Sequence, residues 1–197
     1  MLGREQKEDV MRLVPEDLTP SLDAAGIDYV LVGAHGLAGW LPQARATEDV
    51  DFLVRVQDKQ KAADAVLKKY PVLEIEKHPD VWRLKLGDAT LVDLMLNRSA
   101  LYKRMFLEYI EIKAGRRKLK VPKLEAALVM KFASMIGHHR PNRKKLQDAV
   151  DFMALVEANT VIHLELLKEL SELVYPGGKA EIVKMVEDVR AGRKLEI

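Results

Sequence analysis

Between Leu91 and Leu96 the chain reads Leu-Val-Asp-Leu-Met-Leu, apolar at odd and even positions alike except for Asp93. A strand with one wet face alternates apolar and polar residues, so this run belongs to a central strand covered on both sides. The chain must therefore build a sheet with cover on each face and hold a carboxylate inside it. An unpartnered buried carboxylate costs on the order of several kcal/mol. Asp93 thus needs either an internal Arg or Lys or a bound cation, and the run itself does not choose between them.

The rest of the chain supplies the cover. With 197 residues, 48% apolar and 31% charged, it suits one compact domain, or a core carrying a helical extension. Residues 5–25 place Val10, Met11, Leu13, Val14, Leu18, Leu22 and Ala25 at the spacing of one or two short helices around Pro15 and Pro20. Residues 28–34 read as a strand, followed by a tight Gly33 and Gly36 loop and a short helix up to Trp40. Residues 48–55 alternate as a strand, and 58–70 suit a helix opened by Asp58 that buries Ala62, Ala65, Val66 and Leu67. Strands are expected at 72–76, 81–86 and 90–96, the last two joined by a Gly87-Asp88 hairpin turn. Asn97 or Ser99 caps a helix through Phe106, and 109–112 with 119–121 form a second hairpin around Gly115. From Pro122 the period turns helical, over 123–135, 144–158, 164–174 and 180–190. The expected class is α+β: a mixed β-sheet core flanked by helices over residues 1–121, with a C-terminal helical part over 122–197 packed on it.

Asp49 and Asp51 alternate against Val50 and Phe52, so both point to one face. One reading makes them the solvent face of an amphipathic strand. Against it, Asp is disfavoured in strands, and like charges on one face repel unless a cation sits between them. In the Gly33-Ala34-His35-Gly36 loop the glycines permit close backbone approach, and the amides opening the next helix can receive a phosphate. Arg45 and Thr47, just ahead of Asp49, read either as partners for the carboxylates or as an exposed Arg and a turn Thr.

In combination these features resemble the polymerase-beta-type nucleotidyltransferase superfamily: strand, Gly-rich turn, short helix, two alternating acids, and a third acid on a later strand. Residues 31–36, Leu-Val-Gly-Ala-His-Gly, and 45–54, Arg-Ala-Thr-Glu-Asp-Val-Asp-Phe-Leu-Val, look particularly like its minimal and abortive-infection-toxin branches. The resemblance implies a nucleotidyltransferase-like fold in which Gly33, Ala34 and nearby amides hold a nucleoside triphosphate, with His35, Arg45 and Thr47 close by. It implies that Asp49, Asp51 and Asp93 bind Mg2+ or Mn2+, and that Asp93 helps activate an attacking hydroxyl. Ala34 stands where many members carry Ser or Gly, which leaves its backbone amide as the phosphate contact. In the toxin branch a helical lysine followed by a basic segment and paired acids contributes to the site, and Lys131, Arg143, Asp148 and Asp151 stand in comparable places. Lys131 also reads as a helix residue with its ammonium in water, and the two acids as solvated or paired with Lys144 and Lys145.

The implied function is transfer of a nucleoside monophosphate from a triphosphate to a hydroxyl of a protein, RNA or small molecule. The toxin branch adds an antitoxin protein as a candidate partner. The alternative is a weak or inactive module of the same fold that binds nucleotide or a partner. A third class, a metal-dependent phosphohydrolase, would also use carboxylates, but the absence of a His-Asp ligand pair in the sequence counts against it. Adjacent His138 and His139 cannot chelate one ion from a helix and read as loop residues. The 32 basic and 30 acidic residues nearly cancel, so any polyanion contact rests on local clusters such as 140–145 with Arg116 and Arg117, for which a solvated face is the alternative. The lack of cysteine excludes thiolate sites and disulfides. A charged N-terminus and the lack of any long apolar stretch make a cytoplasmic location, with no membrane contact, the expectation.

Overall fold

The computed structural model describes residues 13–42, 45–115, 117–138 and 140–195. Val10, Met11, Arg116 and His139 lie outside the described residues. Five strands form a mixed sheet: β1 (Tyr29–Val32), β2 (Val50–Val54), β3 (Glu74–Lys77), β4 (Val81–Leu86) and β5 (Ala89–Leu96). Their order is β1-β2-β5-β4-β3, with β2 and β5 parallel and the other neighbours antiparallel. A second hairpin, β6 (Tyr109–Ala114) with β7 (Arg117–Pro122), makes a separate two-stranded sheet, and β7 packs beside β1.

Strand alternation divides the interior into two clusters, one on each face of the sheet. Tyr29, Leu31, Val50, Phe52, Val54, Leu94 and Leu96 join the core cluster that also holds Leu18 and Leu22 of α1 (Pro15–Ala24) and Ala62, Ala63 and Val66 of α2 (Lys59–Lys69). Val30, Val32 and Leu53 face the other way. They pack with the helices after the sheet: α3 (Ala100–Met105), α4 (Leu124–Ile136), α5 (Asn142–Ala158), α6 (Leu164–Glu172) and α7 (Gly178–Arg190). The strand face that carries Asp51 is therefore covered by helices, which overturns its reading as a solvent face. Among the described residues, this two-faced cover is what the Leu91–Leu96 run demanded.

Local details depart from the pattern where two signals compete. Asp58 occupies the position before α2, but a 3-10 turn over Val56–Asp58 has already made the backbone helical, and its side chain makes no cap bond. Ser99 caps α3, accepting from the Tyr102 N–H at 3.1 Å. Asn97 instead accepts the Val56 N–H at 3.0 Å, tying the end of β5 to the end of β2. The β4–β5 register slips between Leu84 and Lys85, so that Thr90 faces Lys85 while Val92 faces Leu84. The slip leaves Leu91 as the extra residue of a bulge. It explains why Leu91 and Val92, successive in sequence, both join the α1–α2 side of the core.

Because Leu53 ties β2 to the C-terminal helices, Leu53→Ala is expected to lower stability by about 3 kcal/mol. Urea unfolding followed by far-ultraviolet circular dichroism and by tryptophan fluorescence should give one coincident transition for both proteins. Two separate transitions would contradict a core shared by sheet and helices.

Candidate active site

Parallel pairing sets Asp51 of β2 directly beside Asp93 of β5. Asp49 precedes β2 by one residue, and one carboxylate oxygen from each of the three acids lies within 4.8 Å of the others. The Thr47 hydroxyl donates to Asp49 Oδ1 at 2.5 Å, which orients that carboxylate. Gly33 ends β1 at φ +61°, and a Cβ there would stand 1.9 Å from Asp51 Oδ2. Both the backbone angle and the carboxylate therefore require glycine at this position. At Gly36 a Cβ would stand 2.6 Å from the Leu31 carbonyl oxygen, so this loop folds back on its own strand.

The three acids repel one another. Burial, reinforced by Asp49 and Asp93 and only partly offset by Lys131 and Lys144, pushes the Asp51 carboxyl up to about 7. Burial also raises Asp93, against the opposing charge of Arg83. Arg83 Nε approaches Asp93 Oδ1 at 3.7 Å, too far for a hydrogen bond, and that buried oxygen has no hydrogen-bond partner among the described residues. Arg83 is 40% exposed, so the pair is weak compensation. A hard divalent cation fits this donor set: it would give Asp93 Oδ1 a partner and cancel the repulsion that raises Asp51.

Beside the acids lies a second charged group. Lys131 of α4 is 7% exposed, and Asp148 and Asp151 of α5 are 2% and 4% exposed. Lys131 Nζ donates to Asp148 Oδ1 at 3.1 Å and to Asp151 Oδ2 at 2.6 Å. Arg140 Nε donates to Asp148 Oδ2 at 2.5 Å, while Arg45 Nε and Gln147 Nε2 each reach Asp151 Oδ1 at 3.2 Å. Three cations thus meet two carboxylates, leaving one net positive charge next to the three aspartates. The alternatives of a water-solvated Lys131 and of acids paired with Lys144 and Lys145 do not hold, because α4 and α5 pack these groups against each other.

A cleft of about 790 Å³ joins the two groups. Gly33, Ala34, Arg45, Thr47, Asp49, Asp51, Asp93, Lys131, Arg143 and Asp148 all line it. Ala34 is buried ahead of a 3-10 turn over His35–Leu37, and burial holds His35 below its usual imidazole range. Arg143 and Lys144 are exposed on the cleft wall and make no ion pair with a described residue. Arg117 pairs with Asp23, and His138 sits in an exposed turn after α4. A separate groove of about 880 Å³ between α6 and α7, lined by Glu165, Lys168, Glu169 and Lys179 among others, lies away from these acids.

Sequence reasoning missed Arg83, Met95, Tyr102, Arg140 and Gln147, which also line the cleft. For Met95 the alternation from Asp93 was a usable signal. For Arg83 the hairpin turn pointed to the wrong residue, because a regular register would have put Trp82 opposite Asp93.

The fold is that of nucleotidyltransferases. The chain resembles the structure of an antigenic nucleotidyltransferase-like protein from Paracoccidioides brasiliensis, with 22% identity, coverage of 98% of this chain and 96% of that one, and a TM-score of 0.52. It resembles the lincomycin-bound lincosamide antibiotic adenylyltransferase LnuA, with 17% identity, 75% and 99% coverage, and a TM-score of 0.52. The antibiotic-resistance factor ANT(2'')-Ia matches with 11% identity, 90% and 95% coverage, and a TM-score of 0.56. No protein-family model matches the chain, and no curated protein sequence matches it significantly.

Two measurements follow from the charges. Because Asp51 titrates near 7 in the fold and near 3.8 as a free side chain, the native state holds a proton that the unfolded state has lost between those values. Metal-free stability should therefore fall as pH rises from about 4 to 7, with this group contributing at most about 1.4 kcal/mol per pH unit. Millimolar Mg2+ or Mn2+ should raise the melting temperature little at pH 5.5 and most above pH 7.5, and Asp51→Asn should remove both trends. A shift of equal size at both pH values would show that the cation does not compete with this proton. Separately, Lys131→Met leaves two buried acids short of a donor and is expected to cost about 3–5 kcal/mol in denaturant unfolding.

Proposed function

We propose that the protein transfers a nucleoside monophosphate from a nucleoside triphosphate to a hydroxyl acceptor, releasing pyrophosphate. The observation that carries this reading is the convergence of Asp49, Asp51 and Asp93 beside the Gly33 loop on a nucleotidyltransferase fold. In this reading residues 1–121 are the transferase core, and 122–197 are the helical part that closes the second face of its sheet.

Each group has a task. The amides of Gly33 and Ala34, which line the cleft, face the phosphates, and the charges of Arg143 and Lys144, which pair with no described residue, attract the leaving pyrophosphate. Asp93 accepts the acceptor's hydroxyl hydrogen as the new oxygen–phosphorus bond forms and the bond from the α-phosphorus to the oxygen it shares with the β-phosphate breaks. When bound at Asp49, Asp51 and Asp93, a pair of Mg2+ or Mn2+ ions supplies charge for the phosphoryl oxygens and lowers the pKa of the attacking hydroxyl. Arg45, Lys131 and Asp148 bind one another's network and reach the nucleotide through its net positive field rather than as free ligands.

The acceptor is a protein side chain, an RNA end or a small molecule. The lincosamide antibiotic adenylyltransferase LnuA, bound to lincomycin, and ANT(2'')-Ia, in complex with adenylyl-2''-tobramycin, have a similar fold and support a small hydroxyl compound. The sequence resemblance to abortive-infection toxins supports a toxin-type cytoplasmic enzyme with an antitoxin partner. A second reading, a nucleotide-binding module without turnover, draws on Ala34, which offers no hydroxyl to phosphate, and on the neutralised Lys131.

The test is incubation of the protein with Mg2+ or Mn2+, each of the four ribonucleotides and a cell lysate, with pyrophosphate release as the readout. Release with at least one nucleotide is expected, falling by about 100-fold or more in Asp51→Asn and Asp93→Asn. Nucleotide binding without release from any mixture would favour the module instead.

A further inference from the structure

Past Asp93 along β5 the lining of the cleft changes chemistry. On β5, Met95 shares a face with Asp93 and lies two residues on, roughly 7 Å farther along the strand. On β4 its partner is Val81, just as Arg83 is the partner of Asp93. A layer of charge, Asp93 with Arg83, is thus followed by an apolar layer, Met95 with Val81. Tyr102 of α3, Ser134 of α4 and Arg140 of the α4–α5 connection close the space, and all of them line the same cleft.

We propose that this chamber, with Tyr102 as its stacking face, receives the nucleobase of the donor triphosphate; the inference rests on the nucleotidyltransferase reading. In-line transfer needs the leaving pyrophosphate and the attacking hydroxyl on opposite sides of the α-phosphate. The Gly33–Ala34 loop at the β1 end takes the first side. The second must admit an acceptor from solvent, and the cleft mouth is where Glu48 and Asp88 are exposed. The nucleoside has the direction along β5 toward Met95 left, where the roughly 7 Å from Asp93 to Met95 leaves room for a ribose. Tyr102 and Met95 offer an aromatic face and a polarizable thioether to a flat ring. The Ser134 hydroxyl makes no hydrogen bond with a described residue, so it is available to the edge of a base.

The experiment compares binding of ATP, GTP, CTP, UTP and inorganic tripolyphosphate, each with Mg2+, to the parent protein, Tyr102→Phe and Tyr102→Leu. The leucine variant keeps an apolar side chain of similar bulk but removes the ring, and thermal melts check that it folds. Expected are tighter binding of at least one nucleotide than of tripolyphosphate by the parent, and a roughly 10-fold loss of that nucleotide's affinity in Tyr102→Leu. Tyr102→Phe should keep most of the affinity, and tripolyphosphate binding should be equal in all three proteins. Equal nucleotide affinity in the parent and Tyr102→Leu overturns the proposal, as does an equal loss for tripolyphosphate. If the leucine variant instead impairs transfer only through a raised acceptor KM, the chamber belongs to the acceptor. A parent that binds neither nucleotide nor tripolyphosphate overturns the nucleotidyltransferase reading itself.

Discussion

Three carboxylates held within 4.8 Å of one another are the constraint to which the rest of the structure answers. Parallel neighbours β2 and β5 place Asp51 against Asp93 as a fixed consequence of register, so the repulsion cannot relax by side-chain movement alone. Gly33 has no side chain because Asp51 occupies that space. Thr47 is spent on Asp49, and Asp93 keeps a buried oxygen without a hydrogen bond to any described residue. A site of this kind is unfavourable for the fold alone and intelligible as one prepared for positive charge.

The helical part answers the same constraint from the other side. Lys131 brings a positive charge close to the acids, but a lone buried ammonium is costly in its own right, and Asp148 and Asp151 stabilise it. Those two acids recruit Arg140 and Arg45, and Arg45 lies in the segment leading to Thr47 and Asp49. The network therefore links α4, α5 and the approach to β2 through charge as well as packing. It holds residues far apart in the chain at the border of one cleft.

Much of the fold was legible because period reports which faces are buried. Alternation located β2, the apolar run around Asp93 located β5, the Gly87-Asp88 turn located its hairpin with β4, and the change to helical period at Pro122 located α4 to α7. The site was legible in part: Asp49 and Asp51 announced themselves as acids on one strand face, and Asp93 as a charge in an apolar run. The partners of Lys131, Asp148 and Asp151 were not, because a helical spacing gives the neighbours on one helix and says nothing about which other helix packs against it.

The sequence by itself determined that a central strand must be covered on both faces and that the aspartate inside it, Asp93, needs compensation, since these follow from local patterns of polarity. Only the tertiary structure decided what each acid meets. The bulge at Leu91 turns Arg83 rather than Trp82 toward Asp93, and the crossing of α4 and α5 gives Lys131 to Asp148 and Asp151. Register and helix packing are settled by the total of many weak contacts across the core, and a single residue's pattern carries no record of that total.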